Sequence, residues 1–208
     1  SVSHGTLRDV TRMLSSDEFD GRAPGSVGEQ KTIALLTERF AKAGLKPGNG
    51  DSWLQKVPLV SIEAGKNSPL AITGGKTPLS FEYGKDMVIG TYREAEAIDI
   101  VDSDVVFVGY GINAPEKGWN YYAGLDVRGK IVVFLTGFPK GTPSELGAHL
   151  NSDKLAMAMK RGAVAAIGVP TLEDTARRPW DRRIAISDGP AKGWVGADGK
   201  AFSRAPGI

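Results

Sequence analysis

The chain has 208 residues, of which 41% are hydrophobic and 24% charged, with 27 glycines, 12 prolines and no cysteine. That length fits one large domain or two small ones and allows roughly 70% of the unfolded surface to be buried. Lysine and arginine number 26 against 24 acidic residues, a net charge of +2, too small a surplus to argue for nucleic acid or an anionic membrane. The absence of cysteine excludes disulfides, thiolate metal ligands and thiol catalysis. No apolar run approaches the ~18 residues of a membrane span. No basic segment followed by an apolar one opens the sequence, so any export signal is expected to have been removed already.

In chain order, GTLRDVTRMLSS places Leu7, Val10 and Leu14 on one helical face, with Thr6 as candidate N-cap and Asp9 at the capping-box position. SVGEQKTIALLTERFAKAGL predicts a stronger helix. Ser26 and Glu29 make an S-x-x-E capping box, and Ile33, Leu36, Phe40 and Ala43 form an apolar stripe. Gly44 stands where a left-handed C-terminal cap is wanted, and Pro47 prevents continuation. SWLQKVPLVSI predicts a strand, with Pro58 favouring an edge position.

Beyond EAGKNSP, residues 63–69, the pattern changes to short strands and turns. PLAITGGKTPLSF predicts a hairpin around Gly74 and Gly75. DVVFVGYGI and KIVVFLTG are continuous apolar runs, as expected of strands buried on both faces. SDKLAMAMKRGA predicts a helix with Leu155, Met159 and Gly162 on one side, running into a buried strand, VAAIGV. GWVGADGKAF predicts a hairpin turning at Asp198-Gly199. The fold class expected is mixed α/β (α+β): N-terminal helices and an edge strand, then a β-rich domain with one main helix.

Candidate chemistry is sparse. FDGRAPGSVGEQKT, residues 19–32, looks like a phosphate loop, but Gly28 is followed by Glu29 and Gln30 before Lys31-Thr32, and no buried strand precedes it. Glu29 would also occupy the positive end of the helix. A turn feeding a helix cap is the better reading. The two histidines, His4 and His149, are far apart in sequence, and GAHLNSD does not supply a zinc ligand set. No G-x-S-x-G elbow is present; Ser3 and Ser152 are the serines near a histidine. No catalytic or metal residue is therefore assigned. Two clusters are candidate partner or substrate contacts: Trp119, Tyr121 and Tyr122 in EKGWNYYAGLD, and Arg177, Arg178 and Trp180, with Arg182 and Arg183, in ARRPWDRR. Aromatic residues and arginine are enriched at interfaces. The alternative is a pair of solvated loops whose aromatics fold back onto the domain.

The run SSDEFDGRAPGSVGEQKTIALLTERFAKAGLKPGNGDSWLQKVPLV, with its F-x-G-R-x-x-G-S-x-G-E loop and AGLKPG, resembles the N-terminal segment of the zinc-dependent aminopeptidases. That group includes glutamate carboxypeptidase II and the transferrin receptor. DVVFVGYGINAPEKGWNYYAGLDVRGKIVVFLTG and KLAMAMKRGAVAAIGV are similar to the protease-associated domain inserted into such enzymes. The resemblance implies that residues 1–64 are the first helices and strand of a peptidase domain, left incomplete, and that 65–208 are a protease-associated domain. It implies further that the zinc ligands and the glutamate base come after the insertion. On that expectation the chain is a fragment with no cofactor of its own, zinc belonging to a catalytic domain not included. Implied partners are a peptide or protein substrate and that catalytic domain, with no nucleic acid and no membrane span. The stripe on the second helix would then be covered by forming a homo-oligomer or by packing on the inserted domain. Relatives are generally exported, so a secreted or periplasmic location is implied. Two other readings are a free-standing peptide- or protein-interaction module and, with least support, a nucleotide binder.

Overall fold

The computed structural model describes residues 3–66, 69–91 and 93–201. The fold is mixed α/β, and the chain divides into two compact units, Ser1–Lys56 and Val57–Ile208. The division falls before the region where the sequence pattern changes. The reason is strand pairing: β1 (Leu59–Ile62) is antiparallel to a late strand, Ala191–Trp194, and so belongs to the second unit. The strand expected to begin at Trp53 is correspondingly shorter, and residues 54–58 are irregular.

The first unit contains α1 (His4–Leu14), a 3-10 turn (Asp17–Arg22) and α2 (Val27–Lys42). Ser3, not Thr6, caps α1: its Oγ accepts the N–H of Thr6. Thr6 lies inside the helix, so Asp9 has no capping box to close. The α2 N-terminus forms as predicted, with Ser26 Oγ accepting from Glu29 N–H at 3.2 Å. At the other end Gly44 adopts φ +80°. Its N–H reaches Ala41 O, and Leu45 N–H reaches Phe40 O, the paired bonds of a Schellman motif.

Several small sheets make up the second unit. β2 (Leu70–Ile72) and β3 (Leu79–Phe81) form the expected hairpin, antiparallel in register. β4 (Val105–Phe107) is followed by the short antiparallel pair β5 (Asn113–Ala114) and β6 (Trp119–Asn120). β7 (Ile131–Leu135), rich in β-branched residues, is the centre of a parallel sheet of order β4-β7-β8. A parallel return requires a crossover. It is made by α3 (Ser144–Ser152) and α4 (Lys154–Lys160), which lead into β8 (Ala165–Val169). α5 (Leu172–Arg177), α6 (Trp180–Ser187) and β9 (Ala191–Trp194) complete the described elements. At the expected final turn, Gly199 has φ +78° and Val195 bridges Ala201; Phe202 lies outside the described residues.

Burial on both faces is not reached even at the centre of the parallel sheet, where Val132 on one face of β7 is buried and Ile131 and Val133 on the other are half-buried. Val132 is fully buried, whereas Phe107 is 59% exposed. β4 is a three-residue edge strand with one neighbour, and the positive φ of Gly109 and Gly111 ends the extended run that the apolar pattern suggested. The core lies beside β7 in two clusters. One gathers Val108, Tyr122, Val127, Val132, Ala158 and Ala163; the other gathers Ile112, Ala114 and Leu150. On α4 the most buried residues are Lys154 and Ala158, four apart. The expected Leu155–Met159 side is only half-buried.

One contact fixes the turn of the first unit. A Cβ on Gly28 would stand 1.9 Å from the carbonyl oxygen of Phe19, so the turn and α2 close on each other only without a side chain there. Gly28→Ala should therefore destabilise the first unit by more than about 2 kcal/mol. Hydrogen exchange would show this as lost protection along α2 with little change along β7.

Candidate functional site

The glycine-rich turn is closed by its own side chains. Glu29 Oε2 accepts Gly25 N–H at 2.7 Å, and Lys31 Nζ donates to Glu18 O at 2.9 Å. Thr32 Oγ1 donates to Gly28 O. Asp20, Gly21 and Arg22 all have positive φ, and Phe19 is buried beneath them. The lysine that would face a phosphate is thus committed to a carbonyl, and a carboxylate occupies the start of the helix.

The aromatic cluster is divided by the fold. Trp119 and Tyr121 are half-buried against Ile112, Ala114 and Leu150, and Tyr121 meets Tyr110 edge-on at 6.0 Å. Tyr122 is 2% exposed. Tyr122 thus lies in the core, apart from the half-buried Trp119 and Tyr121, with its ring under the Arg161 guanidinium at 4.8 Å. Its hydroxyl has no hydrogen-bond partner among the described residues. Burial pushes its pKa up to about 12, with the Arg161 charge opposing.

ARRPWDRR is not a loop. It closes α5 and opens α6, turning at Pro179. Thr171 caps α5 by accepting Asp174 N–H at 3.2 Å, a T-x-x-D signal readable in TLED. The centre of this cluster is Asp174, which the arginine-rich pattern hides. Its carboxylate accepts from Thr136 Oγ1 at 2.6 Å, Arg183 Nη2 at 2.9 Å and Arg177 Nη2 at 3.2 Å. Burial alone would raise this carboxyl, but the hydrogen bonds from Thr136, Arg183 and Arg177 outweigh it and hold the group well below the usual carboxylate range. Arg183 also donates to the carbonyls of Arg178 and Asp174. Trp180 Nε1 points to Gly84 O at 3.4 Å. Arg178 and the outer part of Arg177 remain exposed.

Beside Thr136 lies Lys154, 1% exposed. Its Nζ donates to Leu135 O at 2.7 Å and to Gly137 O, and sits 5.3 Å from the Phe134 ring centre and 5.4 Å from that of Tyr110. Carbonyl dipoles and ring faces replace water around the ammonium. Burial pulls its pKa down to about 8, opposed by the charge of Asp174. Nothing in the sequence pattern marked this lysine, which occupies one of the two buried positions of α4. The Thr136–Asp174–Arg183 bonds and the Lys154 clamp both lie at the carboxyl end of β7. Too deeply buried to meet a substrate, Lys154 and Asp174 brace the loops around them.

His4 is exposed at the start of α1, and His149 is exposed on α3 with Nε2 3.6 Å from Asp153 Oδ2. Among the described residues no group of three His, Cys, Asp or Glu is placed to hold a metal, and no helix is long and apolar enough to cross a membrane.

No protein-family profile and no curated protein matches the chain. Among solved structures it is similar to an aminopeptidase from Aneurinibacillus sp. strain AM-1, at 17% identity and a TM-score of 0.33, over 89% of this chain and 43% of that one. The chain thus spans less than half the length of that aminopeptidase. A likeness this distant carries neither fold nor activity across.

Two stability measurements check the braces. Below pH about 8 the Lys154 penalty is fully present. Between about 8 and the ordinary lysine value of 10.5 the folded protein has released a proton that the unfolded chain retains. Stability relative to Lys154→Met should therefore rise with pH across that window, by about 1 kcal/mol per pH unit. Urea titrations at several pH values would show it, and parallel profiles for the two proteins would contradict it. Asp174 has the opposite sign: its contribution is present above the ordinary carboxylate value of 3.8 and is lost as pH falls toward the depressed folded value. Asp174→Asn should cost about 3 kcal/mol at pH 7, with the difference from the wild type shrinking in acid.

Proposed function

We propose that this chain is the non-catalytic N-terminal and protease-associated portion of a zinc aminopeptidase. In this reading residues 1–64 supply scaffold to a peptidase domain, and residues 65–208 cover its cleft and modulate access of peptide or protein substrates. The observation that supports it most is the state of the first unit. Its F-x-G-R-x-x-G-S-x-G-E turn is locked at Phe19–Gly28, yet among its described residues only those two are buried. Ile33 and Leu36 are half-exposed and Phe40 is 45% exposed, stacked on Trp53 at 6.3 Å between ring centres. An amphipathic helix left this open is a surface made to be covered. A peptidase sheet would cover it, and a second copy of the chain is the other occupant this reading allows.

The described residues do not fit a zinc site, so no catalytic step is derived from them. Zinc and the hydrolytic groups are assigned to a further catalytic domain, and the location proposed is secreted or periplasmic. The chain alone should release no amino acid from amino-acid amides, with or without zinc. Co-expression with the polypeptide encoded immediately downstream should yield a complex with zinc-dependent release, and Phe40→Asp should weaken that complex. Zinc-dependent activity of the chain alone, or a downstream sequence with no H-x-D motif, would overturn the reading.

A further inference from the structure

We propose that the groove between α4 and β5 binds an acidic peptide segment, a reading independent of the peptidase assignment. The groove has a volume of about 760 Å³ and is lined by Asn113, His149, Asp153, Ala156, Met157, Lys160 and Arg161. That volume lies in the range of sites that hold small organic ligands or a few residues of chain, far larger than a single inorganic ion needs.

Its charge is unbalanced. Lys160 and Arg161 have no carboxylate partner among the described residues. Asp153 is the single carboxylate lining the groove, and it lies 3.6 Å from His149 Nε2. With His149 neutral, the lining carries two cations against one carboxylate, a surplus of one positive charge carried by the consecutive pair Lys160 and Arg161. Arg161 is already ordered: its guanidinium rests on the Tyr122 ring at 4.8 Å, and Tyr122 is fixed in the core. The ring contact uses none of the guanidinium N–H donors, and a guanidinium can hold a carboxylate by two parallel bonds. Pre-ordering removes part of the entropy that a long side chain otherwise loses on binding.

Met157 and Ala156 give the same groove an apolar strip. The Met157 sulfur accepts Asn113 N–H at 3.2 Å, which ties α4 to β5 across it. Methionine adapts to varied apolar side chains, and the Asn113 side-chain amide can pair with a peptide unit. Carboxylate recognition beside an apolar strip and an amide fits glutamate or aspartate flanked by aliphatic residues. It does not fit a nucleic acid strand, which would want a longer basic track and stacking rings.

The test uses fluorescence anisotropy with a fluorescein-labelled peptide of two glutamates flanked by leucines, its glutamine counterpart, and inorganic phosphate as competitor. Saturable binding of the glutamate peptide is expected, at least about tenfold tighter than the glutamine peptide and weakened by salt. Lys160→Glu and Lys160→Gln, both at an exposed position, should each weaken binding about tenfold or more while leaving the circular dichroism spectrum unchanged. Arg161→Lys should weaken it as well, because the charge remains but the fork is lost. The proposal is overturned if the glutamate peptide does not saturate, if the two peptides bind alike, or if folded Lys160 variants bind as the wild type does. Interaction with phosphate alone, with neither peptide engaged, overturns it too.

Discussion

A buried ammonium without a carboxylate of its own organises the second unit. Lys154 projects from α4 to the two carbonyls that flank Thr136, and Thr136 in turn donates to Asp174 on α5, beyond β8. Residues 135–137 are therefore gripped from one side by a cation and from the other by a hydrogen-bonded carboxylate. Strand β7 is central to the parallel sheet, so holding its exit sets where α3 and α4 begin and where α5 and α6 can pack. Burying a charge is expensive unless dipoles replace the lost water. Here carbonyl oxygens and two ring faces do so, and the remaining strain appears as the lowered lysine pKa.

The same geometry explains which parts of the molecule could be read from the sequence. Local signals were legible where the interaction was local. The Ser26–Glu29 cap, the Gly44 terminus and the β2–β3 hairpin each depend on residues a few positions apart. Thr6 misled because Ser3, three residues earlier, offers the same hydroxyl and captures one more turn of helix. Signals failed where partners came from far along the chain. Lys154 meets residues seventeen and nineteen positions away, and Asp174 meets Thr136 at a separation of 38. No periodicity carries such pairings. Four arginines therefore stood out as a surface, while the aspartate that organises two of them did not.

The aromatic triplet shows a subtler limit. Adjacent residues in an irregular segment need not share an environment. Tyr121 and Tyr122 point into different clusters, and Trp119 joins the first of these. Composition alone suggested one contact surface, but the backbone between β6 and Val127 distributes the rings over two parts of one core. The first unit presents the opposite case. Its stripe was legible from spacing, and it is as open in three dimensions as in the sequence, because a helix pattern records which face wants covering and not what covers it.

Tyr122 has one more consequence. Its ring belongs to the same core cluster as Val132 and Ala163 and meets the Arg161 guanidinium, yet its hydroxyl has no partner among the described residues. The ring fills the site, and a buried hydroxyl without a partner among the described residues costs about 1–3 kcal/mol. A phenylalanine would fill the same space, keep the stack under the guanidinium and remove that burden. The site is thus one where the loss of a single atom raises stability instead of lowering it.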